Sequence, residues 1–166
     1  GPVLRHGDIS VVSFHATKVF NTFEGGVLVA PDRETKTKID NLKNFGFVNE
    51  TTVIESGLNG KMSEFNAAVG LLQLQHIEEI FDKRGRWDAL YRELLAPLNG
   101  VTCVAPVRQI KRNFAYFPIL ISAECGASRD EIYETLKRHG IFARRYFYPL
   151  ISSFPMYNSH PSSSTK

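Results

Sequence analysis

The sequence has few cysteines, little net charge and no long apolar run, and each of these absences argues against a class of protein. Two cysteines, Cys103 and Cys125, do not make a disulfide framework, and they fit a reducing compartment. A formal net charge of +3, without a basic cluster interleaved with aromatic residues, does not indicate a nucleic-acid surface. No stretch approaches the roughly 18 apolar residues of a membrane span, and the first residues lack a secretory signal pattern. We therefore expect a soluble, cytoplasmic protein that binds neither nucleic acid nor a membrane.

The residues that are present make an ordinary globular composition. Of 166 residues, 43% are hydrophobic and 22% are charged, which permits a real core in one domain or in part of a larger one. Residues 1–8 run into the first predicted strand without any lead-in. We therefore expect a chain that starts inside a domain, with an edge strand that pairs with a segment upstream.

The first half of the chain has the pattern of an α/β layer. Residues 9–14 form a short segment that is rich in β-branched residues and mostly apolar. This pattern predicts a strand buried on both faces of a parallel or mixed sheet. Residues 27–30 predict a second strand beside the first. Asp32 is the expected N-cap of a helix that ends at Gly46.

A polar loop and a long helix follow. Residues 46–61 contain glycine and no regular period, and a loop of that length is more often functional than not. Ser63 is the expected N-cap of a helix that runs to about Leu95, with a bend at Gly85. The small residues around Gly70 predict the close approach of another element.

The second half of the chain predicts a small α+β unit. A capping box of Ser128 and Glu131 opens its helix. The predicted order is strand, strand, helix, strand, followed by a disordered tail, at residues 101–104, 113–122, 131–138, 141–147 and 159–166. The whole pattern predicts a first part at residues 1–80, a second part at residues 81–158 and a tail. The long helix joins the first part to the second.

Two ordered blocks of sequence resemble the DegT/DnrJ/EryC1/StrS family of nucleotide-sugar aminotransferases. The first is Ser13-Phe14-His15-Ala16-Thr17-Lys18 with Glu24-Gly25-Gly26. The second is Gly57-Leu58-Asn59-Gly60-Lys61-Met62-Ser63-Glu64, followed by Ala67-Ala68 and Gln73-Leu74. A later segment, residues 143–150, is similar to the substrate-side segment of the family. The resemblance extends to about residue 158.

The resemblance implies a fold, a cofactor and partners. Residues 1–80 would be part of the large domain of a pyridoxal-phosphate (PLP) transferase of the aspartate aminotransferase type (fold type I). Residues 81–158 would be a small α+β C-terminal domain. Lys18 would carry pyridoxal 5'-phosphate, because a lysine amine attaches to the aldehyde of this cofactor. The substrates would be a nucleotide sugar and an amino-acid donor, glutamate. The enzyme would be a homodimer, and no metal is expected.

Three further residues are placed near the cofactor by the resemblance. The hydroxyl of Ser13 would contact the cofactor phosphate, whereas a strand-end serine can also bond to its own backbone. His15 would lie near the cofactor, and a turn histidine with local hydrogen bonds is an equal alternative. Asn59 would reach the phosphate in the partner subunit, since an amide donates hydrogen bonds without adding charge; a turn residue before Gly60 is the other interpretation.

The resemblance places three residues, Lys61, Arg145 and Tyr148, at the substrate-binding side of the site. Lys61 stands where the family often has arginine, so it would attract a phosphate as a point charge and not as a bidentate fork. Arg145 can also be a solvated charge at a strand end. Phe23 replaces a glycine of the family pattern, which constrains the turn before Glu24.

Other functions remain open at the level of sequence. Some relatives replace the lysine by histidine and act as dehydratases, and the presence of Lys18 favours transamination. A non-catalytic binding or regulatory protein that keeps the fold is the first alternative. The second is an inactive fragment, because the acidic partner of the pyridine nitrogen and the aromatic that stacks on the ring lie upstream of the lysine in the family.

Overall fold

The computed structural model describes residues 2–107 and 110–163, which form two compact units. The first comprises the described residues up to Gly85 together with Arg112–Ala115, and the second comprises the other described residues. The strands are β1 (Ser10–Ser13), β2 (Gly26–Val29), β3 (Val101–Cys103) and β4 (Ile119–Ile121). The α-helices are α1 (Arg33–Lys43), α2 (Glu64–Gln75), α3 (Ile77–Leu95) and α4 (Arg129–Arg138). None of the helices in the described part of the chain is long and apolar enough to cross a membrane.

The two strands of the first unit are neighbours, as predicted, but they run antiparallel. Ser10 lies opposite Val29 and Ser13 opposite Gly26. A parallel pair would need a crossover connection, and the 12-residue loop between β1 and β2 contains no helix. The prediction that β1 is buried on both faces is wrong, because Val11 is 76% exposed and β2 is the one strand that pairs with β1 among the described residues.

Helix α1 begins and ends where its capping residues indicate. The Asp32 carboxylate accepts a hydrogen bond of 2.7 Å from the backbone N–H of Thr35, and this bond lowers the pKa of Asp32. The helix ends at Lys43, and Gly46 turns the chain with a φ of 84°. The N–H of Gly46 donates to the carbonyl of Asn41 at 2.8 Å, which closes the helix end.

The predicted long helix is two helices. Ser63 caps α2 as expected, accepting from the N–H of Asn66 at 3.2 Å. The helix then breaks at His76, whose φ of −111° is not helical, and α3 starts at the next residue. Gly85 lies within α3, where a Cβ would sit 3.3 Å from the ring of Phe114, and the bend expected there stays a prediction.

The second unit contains a short antiparallel pair and the C-terminal half of α3. Val101 lies opposite Ile121, and the predicted strand over residues 113–122 is reduced to β4. Asp88 is buried and accepts a 2.8 Å hydrogen bond from Nε of Arg92, which raises the pKa of the arginine. Nη1 of Arg92 donates to the carbonyl of Val104 at 3.0 Å, so the arginine links α3 to the end of β3.

Helix α4 has the predicted capping box. The hydroxyl of Ser128 accepts from the N–H of Glu131, and the Glu131 carboxylate accepts from the N–H of Ser128 at 2.8 Å. The second bond lowers the pKa of Glu131. The predicted strand over residues 141–147 is wrong. That segment is irregular and exposed throughout, and no strand in the described ranges lies beside it to form a ladder.

The disorder expected from residue 159 stays a prediction. Residues 159–163 continue the chain and include a short 3-10 turn at Pro161–Ser163. Nδ1 of His160 accepts from the N–H of Ser162 at 3.3 Å. Residues 164–166 lie outside the described residues.

We expect the substitution Gly46→Ala to destabilise the protein far more than Gly7→Ala. Both glycines have nearly the same positive φ, 84° and 85°, which costs about 1–2 kcal/mol for alanine. At Gly46 the added methyl group also overlaps the carbonyl oxygen of Glu55, whereas nothing lies within 4 Å at Gly7. Urea unfolding of both variants checks this, and equal losses would contradict the packing at Gly46.

Candidate active site

The lysine segment, residues 14–25, connects β1 to β2 and carries Lys18. Backbone hydrogen bonds close its base: the N–H of Phe14 donates to the carbonyl of Gly25 at 2.8 Å, and the N–H of Thr22 to the carbonyl of Phe14 at 2.9 Å. Lys18 lies in a turn, where its N–H donates to the carbonyl of His15 at 2.9 Å. The side chain of Lys18 is half-buried. The segment therefore holds the lysine on a defined backbone.

Helix α2 binds the lysine segment through Asn66. Its amide Nδ2 donates to the carbonyl oxygens of Thr22 at 2.8 Å and Glu24 at 2.6 Å. The hydroxyl of Ser63 donates to Oδ1 of Asn66 at 2.6 Å, which fixes the orientation of the amide. One side chain thus provides partners for two carbonyl groups that belong to no strand ladder.

The predicted close approach at Gly70 is confirmed. Thr22 is 1% exposed, and a Cβ on Gly70 would lie 2.9 Å from Cγ2 of Thr22. Asn66 and Gly70 are four residues apart and face the same side of α2. Sequence analysis missed Asn66. The pattern that could have identified Asn66 is an amide side chain on the same helix face as Gly70.

Aromatic packing supports the segment from within. Phe14 and Phe20 meet edge to face with ring centroids 4.8 Å apart, and Val19 is buried. Phe23 has a φ of 64°, the left-handed conformation that glycine adopts without strain. Its ring stacks on Phe65 at 6.2 Å, so the replacement of glycine adds an aromatic contact to α2.

Ser13 and His15 lie directly before the lysine. The N–H of His15 donates to Oγ of Ser13 at 3.3 Å, which leaves the hydroxyl proton of Ser13 available to another acceptor. Nδ1 of His15 accepts from the N–H of Thr17 at 3.2 Å, so the proton of the neutral ring is on Nε2. Nε2 lies 3.6 Å from the carboxylate of Glu24, near the other end of the segment.

The second motif docks beside the end of α1. The N–H of Leu58 donates to the carbonyl of Leu42, and that of Gly60 to the carbonyl of Lys43, both at 2.8 Å. Asn59 between them is exposed. This backbone pairing presents the Asn59 side chain on the surface.

Lys61 lies at the border of an open cleft of about 290 Å³ that the two motifs share. Its ammonium donates to Oδ1 of Asn44 at 2.9 Å and lies 4.5 Å above the ring of Phe45. Glu24 and Ser63 also line the cleft, so residues 24–26 and 60–63 lie together.

Arg145 and Tyr148 come together in the second unit. The guanidinium of Arg145 lies 4.8 Å above the ring of Tyr133 and 5.6 Å from that of Tyr148. Its Nη1 is 3.6 Å from the carboxylate of Asp130, and Arg129 lies over Tyr148 at 4.7 Å. Arg145 is therefore held in a cluster of charges and rings and is not an isolated solvated side chain.

Known proteins share both the sequence and the fold of this chain. It matches the DegT/DnrJ/EryC1/StrS aminotransferase family over residues 2–166. A relative from Shigella dysenteriae, named dTDP-4-amino-4,6-dideoxy-D-glucose transaminase, is 54% identical over 95% of this chain and 43% of its own length. A protein of the same name from Escherichia coli is 51% identical over 86% of this chain and 38% of its own length.

Two solved structures superpose closely. That of DesI with its TDP-sugar product has a TM-score of 0.87 and 40% identity, covering 96% of this chain and 41% of that one. Helicobacter pylori PseC, an aminotransferase involved in the biosynthesis of pseudoaminic acid, has a TM-score of 0.86 and 26% identity, covering 96% and 44%. This chain therefore spans less than half the length of the relatives it matches.

The mixed α/β fold and the lysine segment match those of sugar aminotransferases of fold type I. The chain belongs to the DegT/DnrJ/EryC1/StrS aminotransferase family. The aminotransferases of this family depend on pyridoxal phosphate. The predicted family and cofactor are thus confirmed.

The groups of the lysine segment, together with Ser13 at the end of β1, fit this cofactor. Pyridoxal phosphate requires a primary amine on a fixed backbone and hydrogen-bond donors for its phosphate. Lys18 supplies the amine from a turn in which its N–H bonds to His15 and its carbonyl accepts from Asn21 at 3.1 Å. Ser13 supplies a hydroxyl donor five residues earlier.

We expect Asn66→Ala to loosen the lysine segment, since it removes two hydrogen bonds that contribute about 1 kcal/mol each. The backbone amides of Phe14 and Thr22 should then exchange hydrogen about 30-fold faster, which corresponds to about 2 kcal/mol. Gln75→Ala, an exposed position of the same helix, is the control. Unchanged exchange in Asn66→Ala would show that the segment does not depend on this amide.

Proposed function

We propose that this protein is a PLP-dependent aminotransferase that transfers an amino group from glutamate to a keto-sugar carried on a nucleotide. The observation that carries the proposal is Lys18, half-buried in a segment that α2 fixes through Asn66. The names of the Shigella and Escherichia coli relatives support the activity.

Those names also indicate the sugar. We propose a dTDP-linked 6-deoxy-glucose with a keto group at carbon 4 as the acceptor, and dTDP-4-amino-4,6-dideoxy-D-glucose as the product. The exchange balances: the amino group and a hydrogen move to the sugar carbon, and the carbonyl oxygen ends on the 2-keto acid formed from the donor. No external oxidant or reductant is needed.

Lys18 performs the proton transfer in this scheme. Pyridoxal phosphate, when bound, supplies an aldehyde that the lysine amine attaches to and an electron sink for the substrate carbon. Once released, Nζ of Lys18 is a base that takes a proton from the donor carbon and an acid that returns one to the sugar carbon. The turn from His15 to Lys18 keeps the amine within reach during both transfers.

Other residues bind and orient. The Ser13 hydroxyl donates to the cofactor phosphate, and His15, whose N–H donates to the Ser13 hydroxyl, lies near the cofactor. Asn59, exposed on the second motif, reaches the phosphate in the partner subunit of a homodimer. Lys61 attracts a phosphate of the substrate as a point charge.

The two units correspond to two domains in this proposal. The first unit belongs to the large cofactor-binding domain, and the second is the small C-terminal domain. In the second unit, Arg145 and Tyr148 contact the nucleotide sugar, where an arginine beside two rings can pair with a phosphate. The enzyme acts in the cytoplasm, where nucleotide sugars are its substrates.

We expect Lys18→Ala to abolish transamination, with a loss of at least about 100-fold because general acid–base catalysis alone contributes that much. Borohydride reduction in the presence of pyridoxal phosphate should label Lys18, and the variant should lose that peptide adduct in mass spectrometry. Lys83→Ala, an exposed lysine of α3, serves as the control and should keep both activity and adduct. Full activity in Lys18→Ala, or no turnover of any nucleotide keto-sugar by the unsubstituted protein, would refute the proposed reaction.

We expect Arg145→Lys to raise KM for the nucleotide sugar about tenfold, or about 1.4 kcal/mol, because lysine cannot form a bidentate pair or stack on Tyr133. KM for glutamate and kcat should stay within about twofold. Arg144→Lys at the adjacent exposed position is the matched control. Steady-state kinetics with both substrates checks this, and equal effects of the two variants would remove Arg145 from the substrate site.

A further inference from the structure

The side chain of Asn21 connects Lys18 to α2. Its Nδ2 donates to the carbonyl oxygen of Lys18 at 3.1 Å. Its Oδ1 accepts from Nε2 of Gln73 at 3.4 Å and from the N–H of Phe23 at 3.4 Å. Both ends of this amide are therefore engaged, and the residue itself is half-buried.

Gln73 lies on the side of α2 that faces the lysine segment. Asn66, Gly70 and Gln73 are spaced by four and three residues, which places them along one face of the helix. Asn66 binds the far end of the segment at Thr22 and Glu24, whereas Gln73 acts on the part that contains the lysine. The two amides thus hold different parts of one segment.

The hydrogen bond at the Lys18 carbonyl helps to fix the direction of the Lys18 side chain. A carbonyl bonded to Asn21 and an N–H bonded to His15 together fix the peptide planes on both sides of the Lys18 Cα. The orientation of the Cα–Cβ bond follows from those planes, and a displacement of about 1 Å at a reacting group can reduce its rate about 100-fold.

We propose that Asn21 and Gln73 are positioning residues for Lys18, with Gln73 orienting the Asn21 amide that holds the lysine carbonyl. The proposal rests on the proposed function of Lys18 as the cofactor lysine. Neither residue touches the reacting atoms, so both act through the lysine backbone.

The test measures how fast Lys18 captures pyridoxal phosphate. The protein is mixed with the cofactor, reduced with borohydride at successive times, and the Lys18 peptide adduct is quantified by mass spectrometry. Gln73→Leu keeps the size of the side chain and removes its donor, and Gln75→Leu makes the same change at an exposed position of α2. Asn21→Asp, a second variant, keeps the shape and removes the donor to Lys18.

We expect Gln73→Leu and Asn21→Asp to slow capture at Lys18 about tenfold, at a temperature where circular dichroism shows both variants folded, and Gln75→Leu to leave the rate unchanged. In the loaded enzyme, kcat should fall while KM for the nucleotide sugar is kept, a split that loss of folded protein would not produce.

Equal capture rates in all variants would overturn the positioning role and leave the proposed function intact. A decrease that matches the unfolded fraction of each variant would also overturn it. Absence of a Lys18 adduct in the unsubstituted protein would instead overturn the proposed function, and the positioning role with it.

Discussion

The bond from the Asn66 amide to the carbonyls of Thr22 and Glu24 is the constraint on which the candidate site depends. The lysine segment has no ladder partner between Thr22 and Glu24. The Thr22 carbonyl accepts from the N–H of Glu24 and the Glu24 carbonyl from the Thr22 hydroxyl, both at 2.9 Å, and Asn66 supplies a second donor to each. To supply them, α2 must approach closely, which a glycine at position 70 permits. Ser63 caps the helix and orients Asn66 with the same hydroxyl. The helix start, the small residue and the shape around Lys18 are therefore one connected arrangement.

Features set by neighbours in sequence were predicted well. The caps at Asp32, Ser63 and Ser128 each need only a side chain and an N–H three residues on, and all three are present. The motif around Lys18 was recognisable for a similar reason, since its residue types are tied to one reaction. The family and the cofactor followed from that motif and are confirmed by the matched relatives.

Features that depend on distant partners were not predictable from local pattern. Residues 141–147 have strand-like composition, but a strand exists only where another strand pairs with it. Asn66 looked like any polar helix residue, because its partners lie 42 and 44 positions earlier in the chain. The break at His76 falls within a continuous apolar period, so periodicity alone joined α2 to α3.

The central claim is that this segment presents Lys18 to pyridoxal phosphate in the shape that α2 imposes. A crystal structure of the protein grown with the cofactor tests it most directly. The account predicts continuous electron density from Nζ of Lys18 to the cofactor, with Ser13 at hydrogen-bond distance from the phosphate and the Asn66 contacts retained. Cofactor density joined to another lysine, or a lysine segment detached from Asn66 in the bound state, would contradict it.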